Sequence, residues 1–89
     1  MNMSKLRLGI LASGSGSNLQ AIIDSIKCGN LPCEIAVVVS DKPDAYALKR
    51  AELHGIKTEA VQSKTFHNRE AFDTELVRIL KDHNVELVV

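Results

Sequence analysis

Residues Ile35-Ala36-Val37-Val38-Val39 form an unbroken apolar run, and four of the five are β-branched. Such side chains favour extended backbone. Successive residues of a strand point to opposite faces, so a strand apolar at every position has to be covered on both sides. That condition is met in the interior of a parallel sheet with helices on each face. The run therefore places the chain in the α/β class before any other feature is considered.

The flanking sequence supplies the matching elements. Strands are expected at residues 6–12, 34–40 and 58–61 and from Glu86 onward, with helices at 18–28, 45–54 and 69–83. Leu19, Ile22, Ile23 and Ile26 recur at helical spacing, as do Phe72, Leu76, Ile79, Leu80 and His83. Gly29-Asn30 and Gly55 end the first two helices, and Asp44 is the expected N-cap of the second. Strict β-α alternation with right-handed crossovers gives a Rossmann-like parallel sheet in the order 3-2-1-4. The fourth strand, Leu87-Val88-Val89, is then an apolar edge that stops short. A bare apolar edge invites pairing, so further chain or a second copy is expected to cover it.

Between the first strand and the first helix lies Ser13-Gly14-Ser15-Gly16-Ser17-Asn18-Leu19-Gln20. Gly14 and Gly16 let backbone amides approach a ligand, and the helix start turns unpaired N–H groups and a positive dipole end toward it. Ser17-x-x-Gln20 reads as a capping box. The alternative is a well-capped helix after a flexible loop. Position favours a ligand, because parallel sheets bind theirs beyond the carboxyl ends of the strands. Spacing narrows the choice. Leu19 stands where a dinucleotide fingerprint needs its third glycine, although Asp41 could serve as the ribose-binding acid, and there is no P-loop lysine motif. A terminal monophosphate, held by the amides of Gly16, Ser17 and Asn18, fits this short turn best.

Composition removes other classes. Eleven basic and eleven acidic residues are scattered along 89 positions, which leaves no basic stripe for nucleic acid. No apolar run is long enough for a membrane span, and residues 6–12 lead into a turn and not a cleavage site. A cytoplasmic protein is expected. Cys28 and Cys33 have no histidine near them in sequence, so neither a metal site nor a reactive thiol is expected.

Gly9 to Ala12 followed by Ser13-Gly14-Ser15-Gly16-Ser17-Asn18-Leu19-Gln20-Ala21-Ile22-Ile23, then Ser40-Asp41-Lys42-Pro43-Asp44-Ala45, Leu48-Lys49-Arg50-Ala51, Gly55-Ile56 and Phe66-His67-Asn68-Arg69-Glu70-Ala71-Phe72-Asp73, form a series of blocks. In that order they resemble the N-terminal half of the phosphoribosylglycinamide formyltransferases, a folate-dependent family of purine synthesis. The resemblance implies that 10-formyltetrahydrofolate donates a formyl group to the amine of glycinamide ribonucleotide. It places the 5′-phosphate on Gly16, Ser17 and Asn18 and the folate beside Arg69. Residues 1–89 would then be the substrate-phosphate-binding half of one formyltransferase domain. The family's catalytic Asn-x-His occurs nowhere, since His67-Asn68 and His83-Asn84 are reversed, so no catalytic residue is expected in this chain. The other reading is a stand-alone Rossmann-like module that binds a nucleotide or sugar phosphate without turnover. An Asn-x-His encoded beyond Val89 would favour the enzyme.

Overall fold

The computed structural model describes residues 6–12 and 14–89. Four strands alternate with three helices: β1 (Leu6–Leu11), α1 (Ser17–Lys27), β2 (Cys33–Ser40), α2 (Tyr46–Leu53), β3 (Thr58–Ala60), α3 (Arg69–Asp82) and β4 (Leu87–Val88). A single 3-10 turn, Ser63–Thr65, precedes α3. All neighbouring strands are parallel and the sheet order is β3-β2-β1-β4, as the alternation required.

The β2 valines behave as their pattern dictates. Val38 faces one layer with Ile10, Leu19, Ile23, Leu48 and Ala51, the side of α1 and α2. Val37 and Val39 face the other, with Val61, Ile79 and the partly buried Phe72 and Leu76, the side of α3. The register between β1 and β2 shifts at Leu8/Gly9. A Cβ on Gly9 would stand 2.8 Å from Leu80 Cδ2 and 3.0 Å from both Val85 methyls. Glycine is required there for α3 and its following loop to lie close against β1.

At the N-terminal end of the sheet, Arg7 ties three elements together. Its Nε and Nη2 donate to the His83 carbonyl at 3.2 and 2.8 Å, and Nη1 pairs with Glu34 at 2.9 Å. His83 and His54 are the C-caps of α3 and α2. β4 bonds to β1 along one side, with Leu87, Val88 and Val89 each about half exposed.

Helix starts depart from expectation. Gly16, with φ +81°, is the N-cap of α1, and no side chain among the described residues caps the helix, so the Ser17-x-x-Gln20 capping box does not form. The Gln20 side chain instead donates to Asp24 Oδ1 and accepts from Arg50 Nη1. Ala45, not Asp44, is the N-cap of α2, because Ala45 is buried in the α1–α2 layer while Asp44 is exposed. Among the described residues only α3 has a side-chain cap, the Asn68 carboxamide oxygen accepting from the Ala71 N–H at 2.8 Å. Asn68→Ala is expected to destabilise the fold by about 1 kcal/mol, read as a lower urea midpoint of the full-length protein. An unchanged midpoint would mean that water replaces this cap without loss.

Candidate functional site

Beyond its last ladder bond, from the Ala12 N–H to Val39 O at 2.9 Å, the first strand feeds the glycine-rich turn. Ser13 lies outside the described residues. The turn is then held from behind by α2. Gly14 O accepts from the Ala47 N–H at 3.2 Å, and Ser15 O accepts from Arg50 Nε at 2.8 Å. Gly16 closes the turn, its carbonyl accepting the first intrahelical bond from the Gln20 N–H at 2.8 Å.

The first amides of a helix have no intrahelical acceptor, and with no side-chain cap on α1 among the described residues those of Ser17 and Asn18 stay available to a ligand. Both residues are exposed. They border a cavity of about 320 Å³ lined by residues 14–19 together with the end of β1, Ile22 of α1 and Val89. The structure therefore brings Gly16, Ser17 and Asn18 together around one opening at the carboxyl end of β1.

A second cavity, of about 410 Å³, lies on the α3 side of the same strand end. Its wall is apolar, from Val39, Val61, Phe72 and Leu76, and its polar groups are Ser40, Asp41, Arg69 and Asp73. The two cavities share Leu11 and Ala12. Arg69 opens α3 with its side chain 85% exposed and its Nε 3.5 Å from Asp73 Oδ1. The cation at this helix start is thus compensated by a carboxylate one turn on. Asp41 lines the cavity on the α3 side and is not among the residues lining the one at the turn.

No histidine lines either cavity. His54 Nδ1 lies 2.9 Å from Lys27 Nζ, and His83 Nε2 is 3.9 Å from Glu59 Oε2. Cys28 is exposed as the C-cap of α1, and Cys33 opens β2. Among the described residues no group of three or more His, Cys, Asp or Glu side chains gathers in metal-binding geometry, and no helix is long and apolar enough to cross a membrane. On the exposed face of α3, Arg78 bonds Glu75 and Asp82 at 2.6 and 2.7 Å. The hydrogen bond from Arg78 holds the Glu75 carboxyl below its ordinary range.

Sequence reasoning missed Arg50 as a brace of the turn. The local signal was the i, i+4 pair Tyr46 and Arg50 on one helix, whose side chains make a cation–π contact with the guanidinium 4.8 Å from the ring centroid.

Residues 6–89 match the formyl transferase family model. The chain is 39% identical over 84 residues to the phosphoribosylglycinamide formyltransferase of Escherichia coli (strain K12), covering 94% of this chain and 40% of that protein. It is 42% identical over 90 residues to the trifunctional purine biosynthetic protein adenosine-3 of Chironomus tentans, covering 99% of this chain and 7% of that protein. The crystal structure of phosphoribosylglycinamide formyltransferase from Bacillus halodurans superposes with a TM-score of 0.89 at 44% identity, covering 92% of this chain and 42% of that one. The chain thus spans two fifths of its single-function relative and a small part of the trifunctional one.

Proposed function

The chain belongs to the formyl transferase family, and from that premise we propose that it is the N-terminal, phosphate-holding half of a phosphoribosylglycinamide formyltransferase domain. In this reading 10-formyltetrahydrofolate gives its formyl group to the amine of glycinamide ribonucleotide, and the protein works in the cytoplasm. The carrying observation is the uncapped start of α1 behind Gly16, open to a cavity at the end of β1. A phosphate there accepts from the amides of Gly16, Ser17 and Asn18, gaining charge-assisted bonds and the helix dipole together. Anchored at that end, the ribonucleotide has its amine restricted to one region, which is the entropic part of catalysis.

The formyl donor is assigned to the α3 side of β1. A cavity with an aromatic and aliphatic wall and an arginine at its rim suits a flat ring system carrying a carboxylate tail. Because the two cavities adjoin at Leu11 and Ala12, donor and acceptor would meet across the end of one strand.

The test is a transfer assay on the full-length protein, with glycinamide ribonucleotide and 10-formyltetrahydrofolate as substrates. Amide spectra are recorded alongside. Formyl transfer is expected, and the Ser17 and Asn18 amides should shift with the ribonucleotide but not with its phosphate-free riboside. Binding without transfer would establish the stand-alone module instead, and equal shifts with both ligands would remove the phosphate from this turn. Arg69→Ala is expected to raise the KM for the formyl donor about tenfold, the loss of one exposed charge-assisted bond. The KM for the ribonucleotide should stay within twofold. Equal rises in both would assign Arg69 to the fold of α3 and not to the donor.

A further inference from the structure

We propose that Arg50 is a positioning residue for the phosphate, aiming the amides of the glycine turn into the cavity by holding the Ser15 carbonyl on the opposite side. The proposal rests on the phosphate reading of that turn and adds a residue to it from a different element.

A trans peptide is planar, so the C=O of one residue and the N–H of the next point in opposite directions, and no described peptide is cis. Arg50 Nε holds Ser15 O at 2.8 Å, which turns the Gly16 N–H away from α2. The Ala47 N–H holds Gly14 O at 3.2 Å and turns the Ser15 N–H the same way. Two consecutive peptide planes are thus set by one helix. Released from Arg50, the Ser15–Gly16 plane is free to rotate and the Gly16 amide loses its aim.

Arg50 is built for that task. Arg50 is partly buried, and its guanidinium bonds two neutral acceptors at once, Ser15 O and Gln20 Oε1 at 3.1 Å, joining the turn to α1. Its Cζ lies 4.8 Å over the centroid of the Tyr46 ring, a cation–π contact. No carboxylate among the described residues lies within ion-pairing distance of it. A lysine at this position would keep the charge but not the planar fork that serves both acceptors while lying over the ring. Geometry and charge are therefore separable by substitution.

The experiment uses the full-length protein with glycinamide ribonucleotide, its phosphate-free riboside and the formyl donor. Arg50→Met should raise the KM for the ribonucleotide about tenfold, leaving kcat and the donor KM within twofold. The affinity for the riboside should not change. Arg50→Lys should behave like Arg50→Met. Tyr46→Leu, at a ring 53% exposed, should raise the ribonucleotide KM about threefold and leave the fold intact. Full recovery by lysine would overturn the positioning role in favour of charge alone, and equal loss with ribonucleotide and riboside would reduce Arg50 to a structural brace. Ser17 and Asn18 amides in the unsubstituted protein that ignore the ribonucleotide would overturn the phosphate reading, and this proposal with it. If those amides respond while all three variants keep the original KM, only the role of Arg50 falls.

Discussion

Gly16→Val is expected to cost the fold about 2–5 kcal/mol, enough to leave a small domain partly unfolded. Two terms add. Gly16 sits at φ +81°, a left-handed conformation that costs an L-residue about 1–2 kcal/mol. Its Cβ would stand 2.7 Å from Ala47 Cα and 2.8 Å from Ala47 Cβ, and overpacking of this kind costs about 1–3 kcal/mol. Ala47 is fully buried and its N–H is engaged by Gly14 O, so α2 has no room to give. A glycine in this turn suggests from sequence a backbone that a ligand must approach. At Gly16 the structure corrects the reason: a side chain would run into Ala47 of α2. Kinetics of Gly16→Val therefore report on folding. Gly14 is the position that tests ligand approach, because a Cβ there meets nothing within 4 Å, and Gly14→Ala should change stability by less than about 1 kcal/mol. Urea denaturation of both variants decides the matter. A Gly16→Val protein within 1 kcal/mol of the original would mean that α2 yields to the turn.

Strand order was legible because it follows from few facts. An apolar β2 must be interior, β-α alternation enforces parallel pairing, and crossover handedness sets the rest. The start of α3 at Arg69 was legible, although its cap was not named: Asn68 bonds Ala71 three residues on, a local contact that its type and place allow. The Ser17-x-x-Gln20 box failed because Gln20 is taken by Arg50, thirty residues away, and because Gly16 already occupies the cap. Asp44 lost its place to Ala45 through burial, which outweighs a local capping preference.

The same division runs through the candidate site. The glycine-rich turn and the helix that follows it were readable from Gly14, Gly16 and the apolar spacing behind them, since both are local features of the backbone. The partners of the turn's carbonyls were not, since Gly14 O and Ser15 O are bonded by Ala47 and Arg50 of another helix. The compensation of Arg69 by Asp73 was within reach, because i, i+4 spacing on a helix is a local rule. The cavity on the α3 side required the fold, because residues from β1, β2, the loop after β3 and α3 line it together.

A polypeptide of residues 1–89 alone is expected to be silent in formyl transfer. The reaction needs a proton removed from the attacking amine and an oxyanion stabilised in one place. The sequence contains no Asn-x-His, and the two cavities at the strand ends are lined by two aspartates, three serines, an asparagine and an arginine but no histidine. Loss of general acid–base catalysis alone removes a factor of about 10²–10⁴, and loss of oriented binding for the second substrate removes more. Such a polypeptide should also associate through β4, where Leu87, Val88 and Val89 are each about half exposed. Sedimentation velocity should then show mass rising with concentration, and Val88→Lys should suppress the rise by charging the edge. The activity measurement follows tetrahydrofolate release in a preparation whose mass confirms the chain. Turnover comparable to a full-length formyltransferase would assign the chemistry to His54, His67 or His83 and overturn the division of labour proposed here. Silence together with retained binding of glycinamide ribonucleotide would locate the phosphate anchor in these residues and the proton chemistry outside them.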